Sequence, residues 1–363
     1  MRGAFGILDT TAFVGFQKMT LLESLNQTTK YLKDHQIESP RLNAELLLAR
    51  SLNLGREEFY AHLHDPLKER EKETLEKMIR RRISGEPLQY ILEHQEFWSI
   101  DFKVDSRVLI PRPETELLVE QSLLMLRQYQ SPPVKAGSIA PLSINSEQTP
   151  ACKAATAEEL ILSGNSLGGI PSVLEIGTGS GAIAIALAKE VKNIFLVATD
   201  ISRDALVLAK ENAEAAGVQH QIKFVNGDLF DPLCPSKERK PFDLILSNPP
   251  YIVRPEIGSL AKEVRDYEPT IALDGGEDGL EFYRRIITGA PFYLREGGWL
   301  LLEIGQGESE KVAEQIESSG AFLKPQILPD LSGIERVVKA QRIPPSPPLS
   351  KAGKGGFSGA KNG

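Results

Sequence analysis

The spacing of apolar residues changes period twice along the chain. From Thr20 to about Ile91 it is helical: Leu21, Leu22 and Leu25, then Tyr31 and Leu32, recur at three- and four-residue steps. Pro40 precedes Leu42, Leu46, Leu47 and Leu48 and opens a helix that Gly55 ends. Another helix starts near Pro66 and runs through Leu75, Met78 and Ile79 to Arg80-Arg81-Arg82. From Glu96 to Ile110 the period is two, with Ile100, Phe102 and Val104 alternating with Asp101 and Lys103; Val108-Leu109-Ile110 supplies the second arm of a predicted β-hairpin. Pro111-Arg112-Pro113-Glu114-Thr115-Glu116 then opens a helix over 117–126.

After Pro171 strands and helices alternate. Val173–Ile176, Phe195–Asp200, Ile222–Val225 and Phe242–Leu246 read as strands, with helices over Ala182–Glu190 and from Ser202 to Gly217. Leu280–Tyr293 is predicted helical, Gly298–Ile304 a strand and Glu308–Ser318 a helix, and short strands lie near Gln326 and at Arg336–Lys339. This alternation predicts a mostly parallel sheet of seven strands covered on both faces, an α/β fold behind a small all-α domain and a hairpin linker. The expected boundaries are 1–18 for an N-terminal extension, 19–92 for the helical domain, 93–112 for the linker, 113–342 for the α/β domain and 343–363 for a disordered tail. Within the α/β domain, 128–170 is rich in Ser, Pro, Ala and Gly and reads as a flexible insertion with a short helix at Glu158–Leu162.

Composition narrows the function classes. A chain of 363 residues, 41% hydrophobic and 25% charged, is an ordinary globular one. Its net charge of −7 supplies no global basic field for a phosphate backbone. No apolar run reaches membrane-spanning length, and Asp9 interrupts the apolar start, so neither a membrane span nor a secretory leader is expected. Cys152 and Cys234 match no metal spacing and read as free thiols in a reducing compartment. His62 and His64 read as surface residues, and no metal is expected. The three arginines at 80–82 complement a helix dipole, or else form a patch for a partner.

The chemistry concentrates in two turns. Ser247-Asn248-Pro249-Pro250-Tyr251 ends a buried strand with two prolines that cannot continue the ladder. The turn is stiff and lies where open α/β sheets bind ligands. A planar NH₂ group could donate to the Asn248 side-chain oxygen and the Pro249 carbonyl, with Tyr251 as a flat wall. Gly177-Thr178-Gly179-Ser180-Gly181 is the second turn. Its glycines let backbone approach a ligand, the following helix N-terminus favours a negative group, and Asp200 stands where it can grip two ribose hydroxyls. The same glycine pattern fits a dinucleotide fingerprint, but a hydride donor has little use for an NH₂ clamp. A methyl donor carrying a ribose and a carboxylate uses every part, with Asp228-Leu229 at its adenine.

These motifs resemble those of the bacterial release-factor glutamine methyltransferases, over about Met19 to Lys339 without the insertion. Glu175–Gly181 is similar to the widespread methyltransferase glycine motif, and Asn-Pro-Pro-Tyr is shared with DNA adenine and some rRNA guanine methyltransferases. Leu109–Glu116 behind a helical domain is narrower, and Glu268-Pro269 and Glu303-Ile304-Gly305 also resemble this group. The resemblance implies a Rossmann-like class I methyltransferase domain, S-adenosylmethionine as cofactor, and a cytoplasmic enzyme of translation termination. It implies transfer of a methyl group to the amide nitrogen of the Gly-Gly-Gln glutamine of class I release factors. Asn248, Pro249, Pro250 and Tyr251 would be catalytic; Gly177, Thr178, Gly179, Ser180, Gly181, Asp200, Asp228, Leu229 and Asn248 would bind the cofactor. Residues 20–91 would recognise the release factor. Two departures stand out: Glu93 replaces the usual glycine, and Leu229 replaces an aromatic found in some members. The alternatives are an adenine-N6 DNA or guanine-N2 rRNA methyltransferase with the same clamp, acting on an extruded base, and a non-catalytic cofactor-binding adaptor. The acidic balance speaks against DNA.

Overall fold

The computed structural model describes residues 19–127, 170–233 and 242–343. The expected extension, insertion and tail, the Glu158–Leu162 helix and both cysteines lie outside the described residues.

Five helices form the first body: α1 (Leu21–Asp34), α2 (Pro40–Leu52), α3 (Arg56–Ala61), α4 (Glu69–Ile83) and α5 (Leu88–Leu92). Thr20 caps α1 in a reciprocal bond with Glu23. Leu25, Leu32, Leu47, Leu48, Phe59, Leu75 and Ile79 meet in a separate buried core. The helical period of the sequence therefore reports a real buried stripe, although α3 and α5 carry too few residues to be read from it. α5 ends at Glu93, held left-handed at φ 58° and ψ 31°. A glycine would take that conformation without strain.

The arginines of α4 are not a free patch. Arg80 pairs with Glu76 and Arg81 with Glu86. Arg82 is buried. It donates to Asn43 Oδ1 at 2.8 Å and to Glu263 Oε2 at 2.9 Å. Glu263 belongs to α9 (Lys262–Tyr267), so this guanidinium joins the helical body to the α/β body.

The linker hairpin is shorter than its apolar pattern suggests. β1 (Gln95–Phe97) pairs with β2 (Ile100–Phe102), and Trp98 and Ser99 both take φ 53° in the two-residue turn. Residues 108–110 form no strand. Val108 and Ile110 are instead buried with Phe97 and Phe102 under the α/β domain.

The large sheet has the order β5-β4-β3-β6-β7-β9-β8. β3 (Ser172–Ile176), β4 (Phe195–Asp200), β5 (Ile222–Asn226), β6 (Phe242–Ser247) and β7 (Leu294–Glu303) are parallel neighbours. β8 (Gln326–Pro329) and β9 (Glu335–Gln341) close one edge antiparallel. One face packs on α6 (Glu116–Arg127), α7 (Ala182–Glu190) and α8 (Arg203–Ala215), the other on α10 (Glu281–Gly289) and α11 (Ser309–Ser318). The chain goes outward from β3 to β5, then returns to place β6 on the other side of β3. Connections diverge at that point and leave a crevice beyond the carboxyl ends of β3 and β6.

Candidate functional site: a cleft at the strand-order reversal

Ile176 and Ser247 are register partners at the ends of β3 and β6, and Ser247 Oγ donates to the Ile176 carbonyl at 2.8 Å. The glycine turn and the Asn-Pro-Pro turn therefore start side by side, about one strand spacing apart. Between and above them lies a cavity of about 170 Å³. Gly177, Thr178, Gly179, Ser180, Asp200, Asp228, Leu229, Asn248, Pro249 and Pro250 all line it. Gly181 and Tyr251 are not among the lining residues.

Gly177 and Gly179 adopt φ 73° and 55°, and a Cβ built on either would meet nothing within 4 Å. Both face open space along the cleft, so a ligand can lie directly on their backbone. Gly181 works differently. A Cβ there would stand 3.0 Å from Ile185 Cδ1 and 3.2 Å from Ala209 Cβ, so it lets α7 pack against α8. The first turn of α7 has no side-chain cap. Ala184 N–H bonds the Glu175 carboxyl, and the N–H groups of Ala182 and Ile183 remain for water or an anionic ligand.

Asp200, at the end of β4, accepts from Gly179 N and from Ser202 N, each at 2.8 Å. These bonds hold the carboxylate at the cleft while each oxygen keeps a second lone pair. Burial raises its pKa above the usual carboxylate range, against those two backbone bonds. Thr178 donates to Glu175 Oε2 at 2.7 Å beneath the turn. Glu175 Oε1 makes no hydrogen bond, and burial pushes this carboxyl up to about 8.

Ile201, Leu229 and Phe282 add apolar surface to the cleft. Leu229 is held at φ 47°, a conformation bulky residues rarely take. Asp228 is occupied by Arg285, with Nη2 donating at 2.6 Å. A flat base placed there would meet aliphatic and aromatic side chains, and Asp228 lines the same cleft. These features fit a nucleoside carrying an amino-acid carboxylate: glycine backbone, a helix N-terminus, a ribose-height carboxylate and an apolar slot.

Asn248 is half-buried, and its Nδ2 donates to Thr115 Oγ1 at 3.2 Å. That bond engages Nδ2 and leaves Oδ1 as the accepting end of the side chain. Tyr251 stands behind the turn. A Cβ on Gly305 would come within 2.9 Å of Tyr251 Cδ2, and burial raises the Tyr251 phenol to about 12. Its ring packs against the core on that side of the sheet. The sequence reading did not assign Thr115, Arg112 or Glu268 a place in the site. Arg112 and Thr115 line the cleft, and Glu268 holds Arg112 and the Ile110 N–H. Their signals in the sequence are the Leu109–Glu116 motif for Arg112 and Thr115 and the Glu268-Pro269 motif for Glu268.

Among the described residues no helix is long and apolar enough to cross a membrane. A family model described as the PrmC N-terminal domain matches residues 23–92, and one described as the methyltransferase small domain matches residues 162–263. The release factor glutamine methyltransferase of Geobacter sulfurreducens is 38% identical over 319 residues, covering 88% of this chain and 95% of that protein. That of Chlorobaculum tepidum is 36% identical over 317 residues, covering 87% and 95%. A solved methyltransferase from Pyrococcus furiosus is 20% identical with a TM-score of 0.35, covering 48% of this chain and 76% of that one.

Proposed function

Because the chain belongs to the release factor glutamine methyltransferase family, we propose that its substrate is the Gly-Gly-Gln glutamine of class I peptide chain release factors in the cytoplasm. The enzyme is a protein glutamine methyltransferase that uses S-adenosylmethionine. When bound, this cofactor supplies an electrophilic methyl group on a sulfonium. The residues that hold it are Gly177, Thr178, Gly179 and Ser180 along its amino-acid end, Asp200 at the ribose, and Ile201, Asp228, Leu229 and Phe282 around the adenine.

The chemical difficulty lies in the acceptor. An amide nitrogen shares its lone pair with the carbonyl, and rotation barriers of about 18–20 kcal/mol measure that sharing. The cleft offers no base strong enough to remove an amide proton beforehand. Asn248 Oδ1 and the Pro249 carbonyl accept the two hydrogens of the substrate NH₂ and aim the nitrogen. Such orientation contributes up to about 7–11 kcal/mol. The proton lost on methylation passes to water. Tyr251 supports the turn from behind, and Pro249 and Pro250 keep it stiff.

The observation that carries this reading is the placement of the open glycine backbone and Asn248-Pro249 on one cleft, at neighbouring strand ends. The helical body, joined through Arg82 and Glu263, recognises the body of the release factor. One assay tests the reading: labelled S-adenosylmethionine with intact release factor, with a Gly-Gly-Ala release factor, and with DNA. Label on the intact factor alone is expected. Label on DNA would support the base-modifying alternative, and label on none would leave an adaptor.

A further inference from the structure

Thr115 belongs to a sequence motif that the chemistry above leaves unused. It ends a 3₁₀ turn (Pro113–Thr115) that leads into α6, and it is 5% exposed. Its Oγ1 accepts from Asn248 Nδ2 at 3.2 Å. Glu303, the last residue of β7, is 4% exposed, and its carboxyl interacts with both the Thr115 hydroxyl and the Asn248 amide. Glu303 Oε2 makes no hydrogen bond. Burial pushes the Glu303 carboxyl up to about 7, while the Thr115 hydroxyl, the charge of Arg336 and the Asn248 amide favour its ionised form; Glu114 opposes it.

A carboxamide has a donating end and an accepting end of nearly equal shape, so its neighbours decide which end faces the ligand. On the inner side of Asn248 stand a hydroxyl oxygen and a carboxylate. The hydroxyl gives its one hydrogen to Glu303 and so only accepts from Asn248, and an ionised carboxylate only accepts. The NH₂ end must face them, which turns Oδ1 outward. The opposite rotamer would bring NH₂ against the substrate NH₂, donor against donor, and leave the buried carboxylate facing an oxygen.

We propose that Thr115 and Glu303 are positioning residues that set the rotamer of Asn248, holding its NH₂ inward so that Oδ1 receives the substrate amide. The inference rests on the acceptor role of Asn248. It assigns the Thr115 motif and the Glu303 strand end one shared task, although 188 positions separate them in sequence. Glu303 also has a state in which it fails. Once protonated it offers an O–H, and the carboxamide is drawn the other way round. The groups facing it are Thr115 and Glu114 on the 3₁₀ turn, Asn248 and Tyr251 after β6, Tyr283 on α10, whose hydroxyl donates to the Glu303 backbone carbonyl, and Arg336 on β9.

The test uses the full chain carrying T115V, T115S, E303Q or N248A. Turnover and KM are measured on release factor, S-adenosylhomocysteine affinity by calorimetry, and melting temperature alongside. T115V and E303Q are expected to lower kcat about 10–100-fold, the scale of losing a supporting hydrogen bond around a reactive group. KM and S-adenosylhomocysteine affinity should stay within about threefold, and T115S should restore most of kcat. Wild-type kcat should fall in acid through about pH 7, and E303Q should lack that limb. Wild-type kcat in T115V and E303Q, with N248A strongly slowed, overturns this inference alone. Losses that follow melting temperature and are not restored by serine overturn it too. A wild-type enzyme that labels no release factor overturns the functional reading and this inference with it.

Discussion

Arg112 and Glu268, 156 positions apart, form an ion pair at the edge of the cleft, with the Glu268 side chain only 1% exposed. The same carboxylate accepts from the Ile110 N–H. One buried group thus ties the segment entering α6 to the loop after α9. Removing only the arginine strands a buried charge, which typically costs about 3–5 kcal/mol. Arg112 is about one-third exposed, so R112M should lose near the lower end, about 3 kcal/mol, in urea unfolding. R112M/E268Q should recover most of it, because glutamine still accepts from Ile110 without a charge. A double variant no more stable than R112M would show that the loss was packing.

Asn248 carries the proposed clamp. N248A should reduce kcat on release factor by about 10²–10³-fold, by analogy with loss of one preorganised polar contact. Near-normal turnover in steady-state kinetics would remove the residue from the mechanism.

Asp200 is held by two backbone N–H groups at the cleft. D200N keeps the shape but weakens charge-assisted acceptance from ribose hydroxyls. A charged hydrogen bond contributes about 1.5–3 kcal/mol, so S-adenosylhomocysteine affinity should fall about 10–100-fold in calorimetry. Unchanged affinity would place the ribose elsewhere.

Glu93 occupies a left-handed position that costs an L-residue about 1–2 kcal/mol. Its pairing with Arg50 is exposed on both sides and contributes little. After the entropy cost of glycine, E93G should gain about 0.5–1 kcal/mol. A lower urea midpoint for E93G would mean that the strain is absent.

Glu175 makes stability depend on pH in a definite direction. Its carboxyl ionises near 4.5 ordinarily and near 8 when buried in the fold. Between those values the unfolded chain binds fewer protons, so stability falls as pH rises and levels off above the folded value. Glu303 adds to the same slope only up to about 7. E175Q should therefore flatten the urea midpoint most clearly between about pH 7 and 8. A wild-type slope retained there in E175Q would assign it to another group.

Local pattern alone determined which strands run buried, where the glycine turn and the prolines break them, and that a helical body precedes an α/β body. These features repeat at short range, so Leu174 beside Ile176 or Pro249 beside Pro250 is enough to read them. The pattern does not predict the absence of a strand at 108–110, because alternation reports burial and not ladder pairing; Val108 and Ile110 are buried without a strand partner. α9 leaves no periodic signal in the sequence, since its six residues carry no apolar stripe. Tertiary structure decided the rest. Only the return of β6 to the side of β3 puts Asn248 next to Gly177, and only packing brings Thr115 to Asn248 and Arg82 to Glu263. Those partners lie about seventy to 180 positions apart, and no spacing rule acts over that range. A side chain's chemistry is written in the chain, but its burial, its partner and the direction it faces arise when distant segments close on one another.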